Sequence, residues 1–354
     1  MICVVATFPS EQTLKEGMIQ RVAHIDRLMA AVPRDYLDIS FRRFLRRQVR
    51  TEGLATVHCL NFFAHFFVIR RMLRAARTVY VHSAFNALRM MPFGTRAQVI
   101  FDAHGVVPEE CVQQGQAGYA RLLTLAERFI LRRCDVLVCV TRSMLAHFRQ
   151  KHGPRPGRTE LILPILPHLG DGSTAAQALQ AARDADAVVY AGGMQAWQNV
   201  DRMVDAAARQ PRLRYTFLSA DADGFAARLR AAGVREFTCK AVPPQQVKDY
   251  YLAHAYGFVL REDNLVNRVA CPTKLVEYLY WGVLPVVITP RIGDFDAHAM
   301  HAVTLEQFLR GELPDPQAAA AMRRHNQAIV LGMIASAQGA LQHVQQLLLG
   351  AARA

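Results

Sequence analysis

REDNLVNRVACPTKLVEYLYWGVLPVV, residues Arg261 to Val287, is the stretch that decides the fold. It runs from a polar loop into Pro272, Thr273 and Lys274, then a helical pattern holding Glu277, then Gly282 and an apolar strand over 284–288. Proline is favoured in the first helical turn, where its missing N–H would be unpaired anyway, so a helix starts at or near Pro272. Free N–H groups at such a start attract phosphate, and Lys274 adds a cation there. Lys274, Glu277, Tyr278 and Trp281 share one stripe, and Leu275, Val276 and Leu279 share another. Glu277 therefore sits about one turn deeper than Lys274, on the same face. A cation at a helix mouth with a carboxylate behind it suits a diphosphate joined to a ribose. The plain alternative is a solvated Glu–Lys pair on an amphipathic helix. Against it stands the polar run of Arg261, Glu262, Asp263, Asn264, Asn267 and Arg268, which follows an apolar strand over 256–260. In open parallel sheets ligands bind at the carboxyl ends of the strands.

Outward from this segment, short apolar runs alternate with helical patterns along the whole chain. Strands are expected over 2–6, 36–41, 55–60, 78–82, 99–103 and 136–141, with helices over 18–31, 120–133 and 143–151 between them. A Pro/Gly-rich break, HGPRPGR, follows Lys151. After it come LILPIL, a polar loop over 170–173, and strands over 187–191, 215–219, 237–241, 256–260 and 284–288. The stretch 316–349 reads as helix throughout. Such alternation means α/β architecture with parallel sheets covered by helices. Two doubly wound, Rossmann-like domains with a cleft between them are expected: residues 1–167, residues 168–330, and a C-terminal helix, 331–354, crossing back to the first domain. Neither half contains G-x-G-x-x-G or a Walker A motif, which disfavours a nicotinamide or flavin site and a P-loop NTPase.

Composition narrows the class further. Of 354 residues, 52% are apolar, which argues against disorder. No apolar run approaches the ~20 residues of a membrane span, and MICVVATF lacks the basic n-region of a signal peptide. A cytoplasmic protein is expected. The seven scattered cysteines include no C-x-x-C pair, so neither a zinc site nor a disulfide framework is expected. The formal charge of +13 is uneven. Arg42, Arg43, Arg46, Arg47 and Arg50 crowd FRRFLRRQVR, and Arg70, Arg71, Arg74 and Arg77 follow NFFAHFFVI. An amphipathic helix with arginines on one face and aromatics on the other would lie on an anionic membrane; one that packs its phenylalanines inward is the alternative. The Asp-x-Asp triplets Asp184/Asp186, Asp221/Asp223 and Asp294/Asp296 read as turns and helix caps, and no metal is assigned.

Three segments of the second half resemble the retaining, nucleotide-sugar-dependent GT-B glycosyltransferases (family 4-like, group 1) of bacterial polysaccharide and lipopolysaccharide synthesis. They are YAGGMQAWQNVDRMVDAAARQP (190–211), CKAVPPQQVKDYYLAHAYGFVLR (239–261) and the 272–287 helix and strand. In the first half, EGMIQR (16–21) and DAHGVVPEE (102–110) resemble acceptor-side loops of that family. The resemblance implies two facing domains, with the nucleotide-sugar donor held by the second. Glu277 would bind the ribose, Thr273, Lys274 and Arg261 the diphosphate, and Lys240 and Ala241 would border the base. Gly17 would let a first-domain loop approach the donor phosphates, Gly192-Gly193 after the strand over 187–191 could permit close backbone approach or simply form a tight turn, and Asn267 or backbone N–H groups would reach sugar hydroxyls. His104, with Asp102, would form the catalytic pair. Glu109 and Arg21, with Arg42, Arg43, Arg46 and Arg47, are acceptor or membrane candidates; Glu109 could equally be a first-turn carboxylate favoured by the helix dipole.

Two departures stand out. Relatives carry a second glutamate eight positions before Glu277, where this chain has Val269, and a Lys-Gly where it has Gln198-Asn199. The implied function is transfer of a sugar from a nucleoside-diphosphate sugar to a glycan or polyprenyl-linked acceptor, with retention, without cofactor or metal, on the inner face of the cytoplasmic membrane. The rivals are a nucleotide-sugar epimerase of the same fold, a non-catalytic nucleotide-sugar-binding or assembly protein, and a nucleic-acid binder. The last lacks a stacking-aromatic or helix-turn-helix signature, and no nucleic-acid partner is expected.

Overall fold

A computed structural model describes residues 1–10, 17–167, 169–170 and 172–353. The chain divides into two units, one of residues 1–164 with 337–354 and the other of residues 165–336. The helix Pro316–Arg353 contributes its residues up to Ser336 to the second unit and those from Ala337 to the first.

The first unit is built on β1 (Ile2–Val5), β2 (Arg34–Ser40), β3 (Gln48–Glu52), β4 (Ala55–Asn61), β5 (Thr78–His82), β6 (Gln98–Ala103), β7 (Val136–Cys139) and β8 (Thr159–Ile162). Their order in the sheet is β3-β4-β2-β1-β5-β6-β7-β8. Every neighbouring pair is parallel except β3 with β4. Strands such as ICVV and TVYVH are buried along their length, as expected of a sheet covered on both faces. The chain moves outward from β1 to β2 and β4, then returns to place β5 on β1's other side, so the order reverses between β1 and β5.

The second unit holds β9 (Asp184–Ala191), β10 (Arg214–Leu218), β11 (Phe237–Lys240), β12 (His254–Val259), β13 (Leu284–Val287) and β14 (Val303–Thr304). They form an all-parallel sheet in the order β11-β10-β9-β12-β13-β14. Its order reverses between β9 and β12. Val188, Tyr190, Phe217, Phe225 and Phe258 lie in its buried core.

One side chain organises the helices of this unit. Arg183 donates to the carbonyls of Ala178, Tyr251, Leu252 and Trp281. These belong to the last turns of the helices Gly172–Gln180, Val247–Ala253 and Thr273–Trp281. Carbonyls at helix ends have no intrahelical donor and carry the negative end of the helix dipole, so a guanidinium among them satisfies both.

The first arginine cluster is not a helix. After Ser40 the chain bends through 41–47, with Phe44 at a left-handed φ of 62°, and then forms the exposed, antiparallel edge strand β3. The Ser40 hydroxyl accepts from the amides of Arg42 and Arg43, a local turn that competes with helix. All seven cysteines are free. Of the acidic triplets, Asp221 caps the helix Ala222–Ala231, Asp184 pairs with Arg214, and Asp294 lies in a short 3-10 turn.

Candidate active site

In the second unit the expected donor residues gather where strand order reverses, which is where open α/β sheets bind ligands. Helix Thr273–Trp281 has Pro272 as its N-cap and no side-chain cap. Leu275 and Val276 donate back to the Pro272 carbonyl, and the amides of Thr273 and Lys274 remain available to a ligand. The other end is closed by Gly282 at φ 75°, with the Val283 amide bonded to the Tyr278 carbonyl, a left-handed glycine stop. Tyr278 packs its ring directly on Gly257 of β12, where any Cβ would collide with it, and donates to the Val189 carbonyl. That contact seats the helix over β9 and β12.

The Lys274 ammonium lies 3.7 Å from the centre of the Tyr190 ring and 3.3 Å from Gln198 Oε1. Burial drives its pKa well down, Arg261 pushes the same way, and Glu277 opposes. A Cβ on Gly192 would stand 2.8 Å from the Lys274 nitrogen and 2.9 Å from the Tyr190 hydroxyl. Gly192 is therefore the member of the Gly192-Gly193 pair that lets backbone and cation share this space. Gly193 lies beside it, its carbonyl accepting from the Tyr190 hydroxyl at 2.6 Å.

Arg261 follows β12 and donates to Asn267 Oδ1 at 3.2 Å. Asn267 is buried, and its amide group donates to the Glu262 carbonyl. The polar atoms of Asn267 are thus engaged within the loop, where they hold Arg261. Glu277 accepts from the Tyr251 hydroxyl at 3.1 Å. Burial raises its pKa, against the pull of Tyr251 and Lys274. Val269, in place of a glutamate, is buried. Gln198 and Asn199, in place of Lys-Gly, have structural partners: Gln198 holds Lys274, and Asn199, at a left-handed φ of 55°, donates to the Leu260 carbonyl. The Lys240 ammonium lies 4.6 Å from the centre of the Tyr250 ring, and Ala241 is exposed.

In the first unit, Asp102 ends in a closed network. Arg21 clamps both its oxygens at 2.9 and 3.2 Å, and Tyr80 donates to one of them at 2.9 Å. Arg21 and Asp102 are both fully buried, so Arg21 belongs to the interior and not to an acceptor or membrane surface. Burial would raise the Asp102 carboxyl, but Arg21 holds it well below the usual carboxylate range. His82 Nδ1 and His104 Nε2 meet at 2.9 Å above Asp102 Oδ2, which lies 3.7 and 3.8 Å from them. Burial pushes both imidazoles toward neutrality, His104 to about 4. The three ligand atoms lie within 4.8 Å of one another, a spacing that a metal could use. Asp102's oxygens are already taken by Arg21 and Tyr80.

Glu109 stands in the first turn of the helix Val107–Gln113 and is bound by His147 and Lys151. Gly17 opens the helix Gly17–Leu28, and Glu16 lies outside the described residues. Arg42, Arg43, Arg46 and Arg47 are exposed.

Residues 2–165 match the family model described as Glycosyltransferase Family 4. The match falls on the first unit and covers a little under half of the chain. Solved structures extend the likeness to the whole chain. Sucrose-phosphate synthase from Thermosynechococcus elongatus superposes with a TM-score of 0.65 at 13% identity, covering 99% of each chain. An E. coli trehalose-6-phosphate protein bound with UDP-2-fluoro glucose gives a TM-score of 0.62 at 9% identity, over 98% of this chain and 99% of that one. Anabaena HepE in complex with UDP and glucose gives 0.61 at 12% identity, over 97% and 98%. No curated protein matches in sequence. At these identities the structures establish the fold, which is GT-B with two Rossmann-like domains. The phosphate-ready helix belongs to the second unit, outside the residues that the family model matches.

Sequence reasoning passed over His82, Tyr190 and Tyr251. The two tyrosines look like core aromatics in sequence, and only their hydroxyl and ring contacts reveal them.

Proposed function

We propose that this protein transfers a sugar from a nucleoside-diphosphate sugar to a hydroxyl of a glycan or lipid-linked acceptor, with retention of configuration, in surface polysaccharide synthesis. One observation carries the reading: Lys274, Arg261 and the uncapped Thr273 turn converge where strand order reverses, with Glu277 one turn deeper. The cations would neutralise the diphosphate, and the carboxylate would accept from the ribose hydroxyls. HepE, in complex with UDP and glucose, and the protein bound with UDP-2-fluoro glucose share this fold and make uridine the first base to test.

In the proposed step the acceptor oxygen bonds to the anomeric carbon as the bond from that carbon to the diphosphate breaks. The acceptor proton passes to the departing diphosphate. Charge grows on that diphosphate, so the chain's task is electrostatic stabilisation by Lys274, Arg261 and the helix amides. His104, neutral, would offer a hydrogen bond to the transferred sugar, oriented by His82. No resident metal is invoked, since the donor site carries its own cations. Among the described residues no helix is long and apolar enough to cross a membrane, and the work is assigned to the cytoplasmic side, where a lipid-linked acceptor would be met at the bilayer.

A thermal-shift screen against nucleoside diphosphates and their sugars tests the reading. One base series should raise the melting temperature, and turnover of that donor should need an acceptor. Turnover of donor alone into an epimer, or no response to any nucleotide, would overturn it.

A further inference from the structure

Between Glu52 and Asp102 the sequence contains no acidic residue, and between Asp38 and Glu52 it contains five arginines and no acid. The fold brings these two stretches together at the carboxyl ends of β2 and β4. Buried Asn61 joins them. Its side-chain amide donates to the carbonyls of Phe41 and Arg43, and its oxygen accepts from the amides of Phe63 and Ala64.

On this frame stands a chain of aromatic rings leading from the core to solvent. Phe93, 1% exposed, packs on Phe66 at 4.7 Å and on Phe62 at 5.6 Å. Phe62 carries Phe63 at 5.1 Å, and Phe66 carries Phe67 at 5.6 Å. Phe63 and Phe67 are 69% and 77% exposed, and Leu45, on the facing loop, is 74% exposed. The exposed cations Arg42, Arg46, Arg71 and Arg74 lie on the same two segments, with no ion pair to a carboxylate among the described residues, and Arg43, also exposed, lies over the Phe44 ring and acts on the buried Asp38. Large apolar side chains held out by a buried support are not explained by the fold's own packing.

We propose that this face docks on a bilayer rich in anionic lipid, with Phe63, Phe67 and Leu45 entering the interface and the arginines meeting headgroup phosphates. Charge complementarity decides for this partner: an apolar wedge among exposed cations, with the nearby Asp38 buried beneath them, fits an anionic interface. Asp102 and His104 stand at the same carboxyl edge of the sheet. From β4 to β6, which carries Asp102 and leads to His104, is four strand spacings, roughly 19 Å. If the glycosyl-transfer reading holds, a lipid-linked acceptor would lie close to His104, but the docking does not depend on that reading.

Co-sedimentation of the full chain with vesicles tests the proposal without any nucleotide. The protein should pellet with phosphatidylcholine–phosphatidylglycerol vesicles and stay in solution with pure phosphatidylcholine. Phe63→Ser with Phe67→Ser should weaken pelleting on the order of tenfold or more, with an unchanged melting temperature. Should that variant melt early, Arg42→Gln with Arg46→Gln replaces it, and should weaken pelleting roughly 25-fold, about fivefold per charge. Equal pelleting with both vesicle types, no pelleting with either, or full binding by a well-folded variant would overturn the proposal. So would variants that alter only self-association or oligonucleotide retention, because the face would then serve another partner.

Discussion

His82 Nδ1 and His104 Nε2 lie 2.9 Å apart, and the outer nitrogen of each ring is buried without a hydrogen-bond partner among the described residues. One proton fills the shared bond, so with both rings neutral only one outer nitrogen carries hydrogen. Charging either ring adds a third proton to the pair and a further positive charge near Arg21, in a buried site.

Stability should therefore fall in acid in two stages. Burial holds His104 at about 4, against 6.5 for an ordinary imidazole, with His82 shifted the same way. As pH falls from 6.5 toward 4, the unfolded chain takes up protons that the folded chain refuses, and stability is lost. Below the ordinary aspartate value of 3.8, the depressed Asp102 carboxylate adds a second loss. Melting temperatures across this range check it: His82→Phe with His104→Phe should flatten the first stage and leave the second.

Lys274→Met should trade binding for stability. The ammonium is pushed toward its neutral form by burial and by Arg261. Replacing it with an apolar chain of similar length should stabilise the protein by about 0.5–2 kcal/mol, read as a higher melting temperature, while nucleoside-diphosphate binding is lost. In the unmodified protein, a bound diphosphate should raise the depressed Lys274 pKa again, so binding should take up protons in the pH range where that group titrates. Calorimetry at several pH values in buffers of different ionisation enthalpy would show the uptake.

Glu277→Gln should weaken nucleoside-diphosphate binding on the order of 10- to 100-fold, the range of one hydrogen bond to a charged group. Tyr251→Phe makes a finer test. Burial already raises the Glu277 pKa, and the Tyr251 hydroxyl lowers it. If the ionised carboxylate binds ribose, affinity falls as pH drops through that pKa. Without Tyr251 the fall should begin at a higher pH, a shift readable from titrations at several pH values.

Gly257→Ala should harm both fold and binding. Its Cβ would collide with the Tyr278 ring, which seats the helix bearing Lys274 and Glu277. Overpacking of this kind costs about 1–3 kcal/mol. Denaturant unfolding should show that loss, and nucleotide affinity should fall with it, although Gly257 touches no ligand.

The donor helix was legible because its signals are local: a proline at the start, a glycine at the stop, and a cation and a carboxylate one turn apart. The strands were legible as short apolar runs, apart from β3 and β14. FRRFLRRQVR misled because its arginine spacing fits a helix, while the Ser40 hydroxyl and the left-handed Phe44 break it. Arg21 looked like a surface charge because its partner Asp102 lies 81 residues away. Gly192 could not be separated from Gly193 without knowing which one faces Lys274. His82 sits at a strand end among apolar neighbours, and only the pairing of β5 with β6 brings it to His104.

Arg183 makes the donor helix a beam clamped at one end. The far end of Thr273–Trp281 is fixed to the last turns of two other helices through one guanidinium, and its near end is open. A ligand gripping the open end would tighten the whole assembly. Slower amide exchange on nucleotide addition should then spread to Gly172–Gln180, a helix remote from the proposed donor contacts, as well as to Val247–Ala253, whose Tyr251 also holds Glu277.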